Sequence, residues 1–423
     1  MNTSANGILP RARGTVLGGH WSMLALVLWG FLLSLLVGAD GSPGWRLVRT
    51  GVVLATTALA LWLFSATRRL EGWAALVCGT IGLAVGIAFG FRFLTFDGFT
   101  WTALAGLIEL VLGLVLVAAG IRRLVGGMAR ARRFAAAVTL ICATLLALWN
   151  LAPALVATNV PPIPMEGAIP GDLGLTAREV RFVADDGVEL WGWYVPSANG
   201  AAVVLRHGAS STANDALGHA AVLARHGYGV LVTDARGHAR SGGRAMDFGW
   251  YGDSDIHAAV SFLATQPDVD AERIAVVGLS MGGEEALGAA AAEPRIAAVV
   301  AEGATGRTDA DKAWYADLYG FRGQIQLGLE WLQYSLADLL TDAPKPIPLS
   351  TAASVAAPRP VLLIAAGRVA DEGHAAAYIQ QHAPASVTVW VVPGAGHIQG
   401  LSVAPEEWER TVISFLDAAL AGS

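Results

Sequence analysis

The chain has 423 residues, 54% of them apolar and 15% charged, where an ordinary soluble domain is near 25% charged. Residues 1–160 hold 12 Arg, no Lys and four acids, a formal +8, so a whole-chain charge of −6 leaves −14 for the rest. An apolar, Arg-flanked part followed by an acidic, ordinarily composed part excludes a uniformly soluble chain and offers no basic surface for nucleic acid. With two cysteines, Cys78 and Cys142, both in apolar runs, and no CxxC or zinc-like spacing, neither a disulfide scaffold nor a metal centre is expected.

Five apolar runs come first, at about 21–38, 50–66, 72–94, 101–120 and 134–156. A bilayer core needs about 20 such residues, so an all-α transmembrane bundle of five spans is expected over residues 1–156. Arg11, Arg13, Arg68, Arg69, Arg122, Arg123, Arg130, Arg132 and Arg133 flank one side of these spans. Arg46, Arg49 and Arg92 flank the other, together with Asp40 and Asp97. The arginine-rich side faces the cytoplasm, and an odd span count then carries everything after residue 156 outside. Glu109 lies within the fourth run, where an ionisable group is costly; it reads either as part of a conduit or as a carboxyl that helps assemble the bundle. Asn150 invites the same two readings. Gly82, Gly86, Gly90, Gly106 and Gly113 suit close helix contact, and Pro153 is expected to bend the end of the last run. "TNVPPIPMEGAIPGD" then reads as a stiff linker over 157–172.

From 173 the period changes. Two alternating runs around "ADDG" form a hairpin signal. Buried runs "AAVVLRHG", "GYGVLVTDARG", "ERIAVVGLS", "RIAAVVAEGA", "RPVLLIAAG" and "SVTVWVVPGAG" then take turns with amphipathic stretches. That alternation predicts a mostly parallel sheet covered on both faces over 173–423. Residues 305–355 interrupt it as an irregular, partly helical insertion.

Gly278-Leu279-Ser280-Met281-Gly282 fits G-x-S-x-G with a strand before it and a helix after it, the setting in which a strained turn exposes a nucleophilic hydroxyl. A serine needs a base and the base an orienting acid, in the chain order Ser, acid, His. His397, in the loop after the last strand, is the expected base. His374 is a minor rival, and His207 is a structural or pocket residue. The acid should follow "PVLLIAAG": Asp371 is the expected residue and Glu372 the alternative, the unused one capping the next helix. Asp342 is a more distant candidate. Developing negative charge on the substrate oxygen calls for two backbone N–H groups, assigned to Met281 and Ala209, with Ser210 beside the latter.

On "RHGAS", "TDARGHARSGG", "GLSMGG" and "PGAGH", residues 173–423 resemble the α/β-hydrolase family, and in particular the dipeptidyl-peptidase-like and acylaminoacyl-peptidase-like serine hydrolases. The resemblance implies an oxyanion donor in the first piece, in keeping with Ala209. It makes Asp234 and Arg236 of the second piece structural. Ala239 stands where the family often has glycine. The family acid commonly lies three residues beyond the glycine that ends its strand; the slot here is one residue longer.

Taken together, a membrane-anchored serine hydrolase is expected. It cleaves an ester, thioester or amide through an acyl-serine intermediate, with esterase or lipase-like activity favoured and an aminopeptidase or dipeptidyl-peptidase-like hydrolase as the alternative. A non-enzymatic sensor or transporter-associated protein on a hydrolase scaffold is the reading from another class. The expected substrate is a small-molecule, lipid or peptide acyl compound, with no cofactor and no metal. The Ala- and Arg-rich, Lys-poor composition points to a bacterial plasma membrane.

Overall fold

The computed structural model describes residues 16–37 and 43–421, with side chains from residue 23 onward. Arg11, Arg13 and Asp40 lie outside the described residues. The chain divides into two compact units, Met1–Ala152 and Pro153–Ser423.

The first unit is helical: α1 (Val16–Val37), α2 (Pro43–Ala66), α3 (Arg68–Val85), a π-helical turn Gly86–Phe91, α4 (Arg92–Phe96), α5 (Trp101–Leu124) and most of α6 (Arg130–Thr158). Among the described residues, four segments are long and apolar enough to cross a membrane: Pro43–Ala66, Arg68–Phe96, Trp101–Leu124 and Arg130–Thr158. In α1 the described apolar stretch is the shorter Met23–Val37. Glycines set the approach of α3 and its π-turn to α5. A Cβ at Gly79 would stand 2.6 Å from Val117 N, one at Gly113 2.6 Å from Leu83 N, and one at Gly106 2.4 Å from Gly90 N. Any side chain there would force the helices apart, the small-residue packing that apolar surroundings favour. Glu109 is fully buried in this contact, and its two oxygens have no hydrogen-bond partner among the described residues. The nearest space is shared with the Trp29 indole: a Cβ at Gly82 would lie 3.1 Å from Trp29 Nε1 and 3.2 Å from Glu109 Oε2. Asn150 Nδ2 donates back along its own helix to Leu146 O at 2.9 Å.

The second unit is built on eight strands: β1 (Arg178–Val183), β2 (Glu189–Val195), β3 (Ala202–Arg206), β4 (Gly229–Thr233), β5 (Ile274–Leu279), β6 (Ile296–Glu302), β7 (Val361–Ala366) and β8 (Val387–Val392). Their order is β1-β2-β4-β3-β5-β6-β7-β8. β2 runs antiparallel to β1 and β4, and β3 to β8 are parallel. The helices are α7 (Leu217–Arg225), α8 (Gly252–Ala264), α9 (Met281–Ala292), α10 (Trp314–Leu340), α11 (Leu349–Ala356), α12 (Ala370–His382), α13 (Gly400–Val403) and α14 (Pro405–Leu420). Strand periodicity divides the core. Ala202 and Val204 of β3 enter the layer beneath α8, α9 and α11, while Val203 and Leu205 enter the one beneath α7 and α14. With both faces covered, every residue of β3, β4, β5 and β7 is buried, which is why these strands read as unbroken apolar runs. This is the α/β-hydrolase fold.

Two expectations need revision. The segment 157–172 is no free linker, since Ala239 N donates to Ile163 O at 3.2 Å and Asn214 Nδ2 to Glu166 O at 3.2 Å. α6 runs through Pro153 to Thr158, Ala154 is buried in a cluster with Trp250 and Tyr334, and Asp247 N donates to Ala157 O at 2.9 Å. An interior proline costs a helix the bond of its own N–H and a ring clash with the carbonyl four residues earlier, about 3 kcal/mol, yet the helix continues through Pro153 to Thr158. The insertion 305–355 is ordered, with a 3-10 turn Asp309–Lys312, the long α10 and α11. Its polar-aromatic sequence hides the helical pattern because α10 is kinked at Gly320, whose φ of 55° and ψ of −130° break the period.

Candidate active site

The strand β5 ends in the turn that presents Ser280. Ser280 has φ 54° and ψ −120°, a strained conformation for a residue with a side chain. The turn is possible only because its flanks lack side chains. A Cβ at Gly278 would sit 2.1 Å from Gly282 O, and one at Gly282 would sit 2.6 Å from His207 O. Ser280 N donates to Glu302 O at 2.7 Å, which ties the turn to the end of β6. α9 starts at Met281, so that residue's N–H belongs to the first helical turn and has no acceptor within the helix.

His397 bridges the serine and a carboxylate. Ser280 Oγ lies 2.8 Å from His397 Nε2, and His397 Nδ1 lies 2.6 Å from Glu372 Oε1. Glu372 is 1% exposed, and its other oxygen, Oε2, accepts from Ala366 N at 2.7 Å. An acceptor-only carboxylate on Nδ1 fixes the proton there and leaves Nε2 to accept from the serine hydroxyl. The hydrogen bond that His397 donates to Glu372 is the main reason that the imidazole is held above its usual pKa of 6.5; burial works in the opposite direction, and the negative charges of Glu372, Glu284 and Glu302 add to the rise.

The carboxylate brought to His397 is therefore Glu372, not Asp371. Both stand in the first turn of α12, but neighbours on a helix point about 100° apart. The register places Glu372 under the sheet rim and leaves Asp371 exposed near the helix N-terminus, where a carboxylate is favourable. Asp342 accepts from the Tyr251 hydroxyl, and His374 packs on Trp314 with ring centroids 5.4 Å apart. His207 is buried, with Nδ1 2.7 Å from Gly208 O and Nε2 accepting from Ala235 N at 2.8 Å, so it braces the loop after β3. That loop meets the nucleophile: a Cβ at Gly208 would stand 3.1 Å from Ser280 Cβ. Ala209 follows directly, and Ser210 has φ 56°. Asp234 accepts from Ala213 N and Arg240 N, and burial pushes its carboxyl up to about 6; Arg236 pairs with Asp186 and Asp255.

Several supporting residues escaped sequence reading. Glu302, at the end of β6, is buried; its Oε1 accepts from Gly400 N at 2.7 Å and its Oε2 from Trp408 Nε1 at 2.9 Å. Gly303, with φ 74°, leaves room for the imidazole, since a Cβ there would lie 2.9 Å from His397 Cε1. Glu284 Oε1 accepts from Thr305 N at 3.0 Å and Gly306 N at 2.8 Å, fastening the start of the insertion beside α9. Arg206 lies fully buried behind the turn, where its Nε donates to Glu285 Oε2 at 2.8 Å. The only sequence signal for these was a charge inside an apolar run, such as the Arg ending "AVVLR" or the Glu ending "AAVVAE".

The second unit has the α/β-hydrolase fold, and Ser280, His397 and Glu372 converge at the C-terminal rim of its sheet. Residues 197–348 match the family model described as serine aminopeptidase, S33. Among solved structures, an esterase from Pyrococcus furiosus is 24% identical with a TM-score of 0.49, covering 62% of this chain and 98% of its own. An α/β hydrolase from a Penicillium species is 20% identical (TM-score 0.45; 58% and 100% covered). An esterase from Exiguobacterium antarcticum is 18% identical (TM-score 0.42; 56% and 99% covered). No curated protein matches the sequence.

Proposed function

We propose that the protein is a membrane-anchored serine hydrolase acting on an acyl ester. The observation that carries this reading is His397 set between Ser280 Oγ and the buried Glu372, with Ser280 on a strained strand–helix turn. Ser280 Oγ attacks the acyl carbonyl while His397 Nε2 takes its proton. The tetrahedral oxyanion forms beside the N–H groups of Met281 and Ala209. His397 then returns the proton to the leaving oxygen, and the C–O bond to the alcohol breaks. Water, deprotonated by the same nitrogen, releases the acid from acyl-Ser280.

An ester is the substrate this reading favours; Glu284, the carboxylate nearest Ser280 in sequence, uses its Oε1 to accept from the Thr305 and Gly306 backbone N–H groups. The aminopeptidase reading, suggested by the description of the matching family model, is the alternative. Anchoring rests on the apolar helices of the first unit. The arginine distribution supports a cytoplasmic N-terminus and an extracytoplasmic hydrolase unit in a bacterial plasma membrane.

The direct test is labelling of the full-length protein by a fluorophosphonate probe, beside hydrolysis of ester and aminoacyl-amide chromogenic panels. The reading expects stoichiometric labelling that Ser280→Ala abolishes, together with turnover of esters. A wild-type protein that neither labels nor turns over any substrate overturns it in favour of a non-enzymatic scaffold. Turnover of aminoacyl amides alone selects the peptidase.

A further inference from the structure

None of the proposed chemical steps uses His207, yet it is 1% exposed and spends both ring nitrogens on the backbone. Nδ1 stands 2.7 Å from Gly208 O, and a carbonyl only accepts, so the proton is on Nδ1. Nε2 then accepts from Ala235 N at 2.8 Å. Burial first, then the neighbouring His238 and the Arg206 cation, hold the imidazole well below its usual pKa of 6.5, so it stays neutral in this one tautomer.

The carbonyl that His207 holds belongs to the same peptide unit as the Ala209 N–H. The Gly208–Ala209 bond is trans, since the one cis bond among the described residues is Ala357–Pro358. A trans peptide is planar, with its C=O and N–H on opposite edges. Aiming Gly208 O inward at the buried ring therefore aims the Ala209 N–H away from it, toward the open rim. That rim holds the nucleophile: a Cβ on Gly208 would lie 3.1 Å from Ser280 Cβ and 3.8 Å from its Oγ. Ala209 is exposed, and its N–H has no acceptor among the described residues. The bond to His207 also polarises the peptide, since a hydrogen bond at the carbonyl strengthens the N–H as a donor. The far end of the loop is pinned separately, by Ala213 N donating to Asp234 Oδ1 at 2.8 Å.

We infer that His207 is the positioning residue of the oxyanion hole: by holding Gly208 O it aims the Ala209 N–H at the tetrahedral oxyanion. This rests on the acyl-serine mechanism of the proposed function. His207 touches no reacting atom and acts only through this peptide.

The test divides the ring between two amides in the full-length chain. His207→Asn sets an amide N–H where Nδ1 stands and gives up the bond from Ala235. His207→Gln sets an amide oxygen where Nε2 stands and gives up the bond to Gly208. Each is assayed for hydrolysis of a p-nitrophenyl ester, for inhibition by a trifluoromethyl ketone that forms an oxyanion on Ser280, and for thermal unfolding. Losing a whole oxyanion donor costs about 10²–10³ in kcat, so a misaimed one should cost about 10–100-fold. His207→Gln should lose that factor in kcat, weaken the ketone by the same factor and leave KM within about twofold, while His207→Asn stays within about fivefold of wild type in all three. Equal losses in the two variants, or losses that follow melting temperature, mean a merely structural ring and overturn the inference while the hydrolase reading stands. So does nitrogen NMR of histidine-labelled wild type in which this ring carries its proton on Nε2 or titrates between about pH 5 and 8; that measurement decides the matter if the variants do not fold. A wild type that neither labels with fluorophosphonate nor turns over an ester overturns the mechanism and this role with it.

Discussion

Replacing Glu372 by Gln tests the site at its least replaceable contact. The carboxylate serves two donors, His397 Nδ1 at 2.6 Å and Ala366 N at 2.7 Å, and is 1% exposed, so water cannot stand in for it. An amide has one oxygen and one NH2 group. With its oxygen kept on Ala366 N, it offers a donor to Nδ1. The imidazole must then place its proton on Nε2, where it can no longer accept from Ser280. With its oxygen turned to His397, the amide leaves its NH2 against the Ala366 N–H. Either arrangement removes the negative charge that stabilises the imidazolium in the transition state. Loss of the acid in other triads costs about 10⁴ in kcat; ~10³–10⁴ is expected here in kcat/KM, or about 4–5.5 kcal/mol at 1.36 kcal/mol per decade. Hydrolysis of a p-nitrophenyl ester and the second-order rate of fluorophosphonate labelling both report it, with thermal unfolding as the control for folding. Asp371→Asn, at an exposed position one residue away, should change either rate less than about twofold, as surface substitutions do. The reasoning fails if Asp371→Asn costs the decades and Glu372→Gln does not.

Three further outcomes follow from the geometry. His397 must be neutral to accept a proton, and its pKa is raised, so kcat/KM should fall as pH drops through a value above 6.5; Glu302→Gln removes one of the nearby charges and should move that acidic limb downward in a pH–rate profile. Gly303→Ala inserts a methyl 2.9 Å from His397 Cε1 at φ 74°, and should cut kcat by at least tenfold in steady-state assays while the protein stays folded by circular dichroism. Arg206→Met leaves Glu285 buried without its cation, while Asp255 keeps Arg236, a loss of about 3–5 kcal/mol that a lowered melting temperature of the purified protein should register.

The linear order of residues determined what depends on short-range pattern. Five apolar runs, a change of period near 173 and strands alternating with helices needed no long-range contact to be read. The G-x-S-x-G turn was equally legible, because sterics around Gly278 and Gly282 allow few other residues there. His397 could be placed because chain order and a loop after the last strand restrict the candidates. Tertiary structure decided the rest. The choice between Asp371 and Glu372 hangs on the rotation of α12, which is set by where β7 ends and how the helix packs on it; adjacent carboxylates have no local feature that reports that angle. Glu302, Gly303 and Arg206 gain their roles only when β3, β5, β6 and the His397 loop meet at one rim. Likewise only packing buries Tyr334 and Ala337 of α10 and leaves Phe321, Ile325 and Leu339 outside. Periodicity gives the angles between side chains along a helix, and only the contact with its neighbours says which side faces inward.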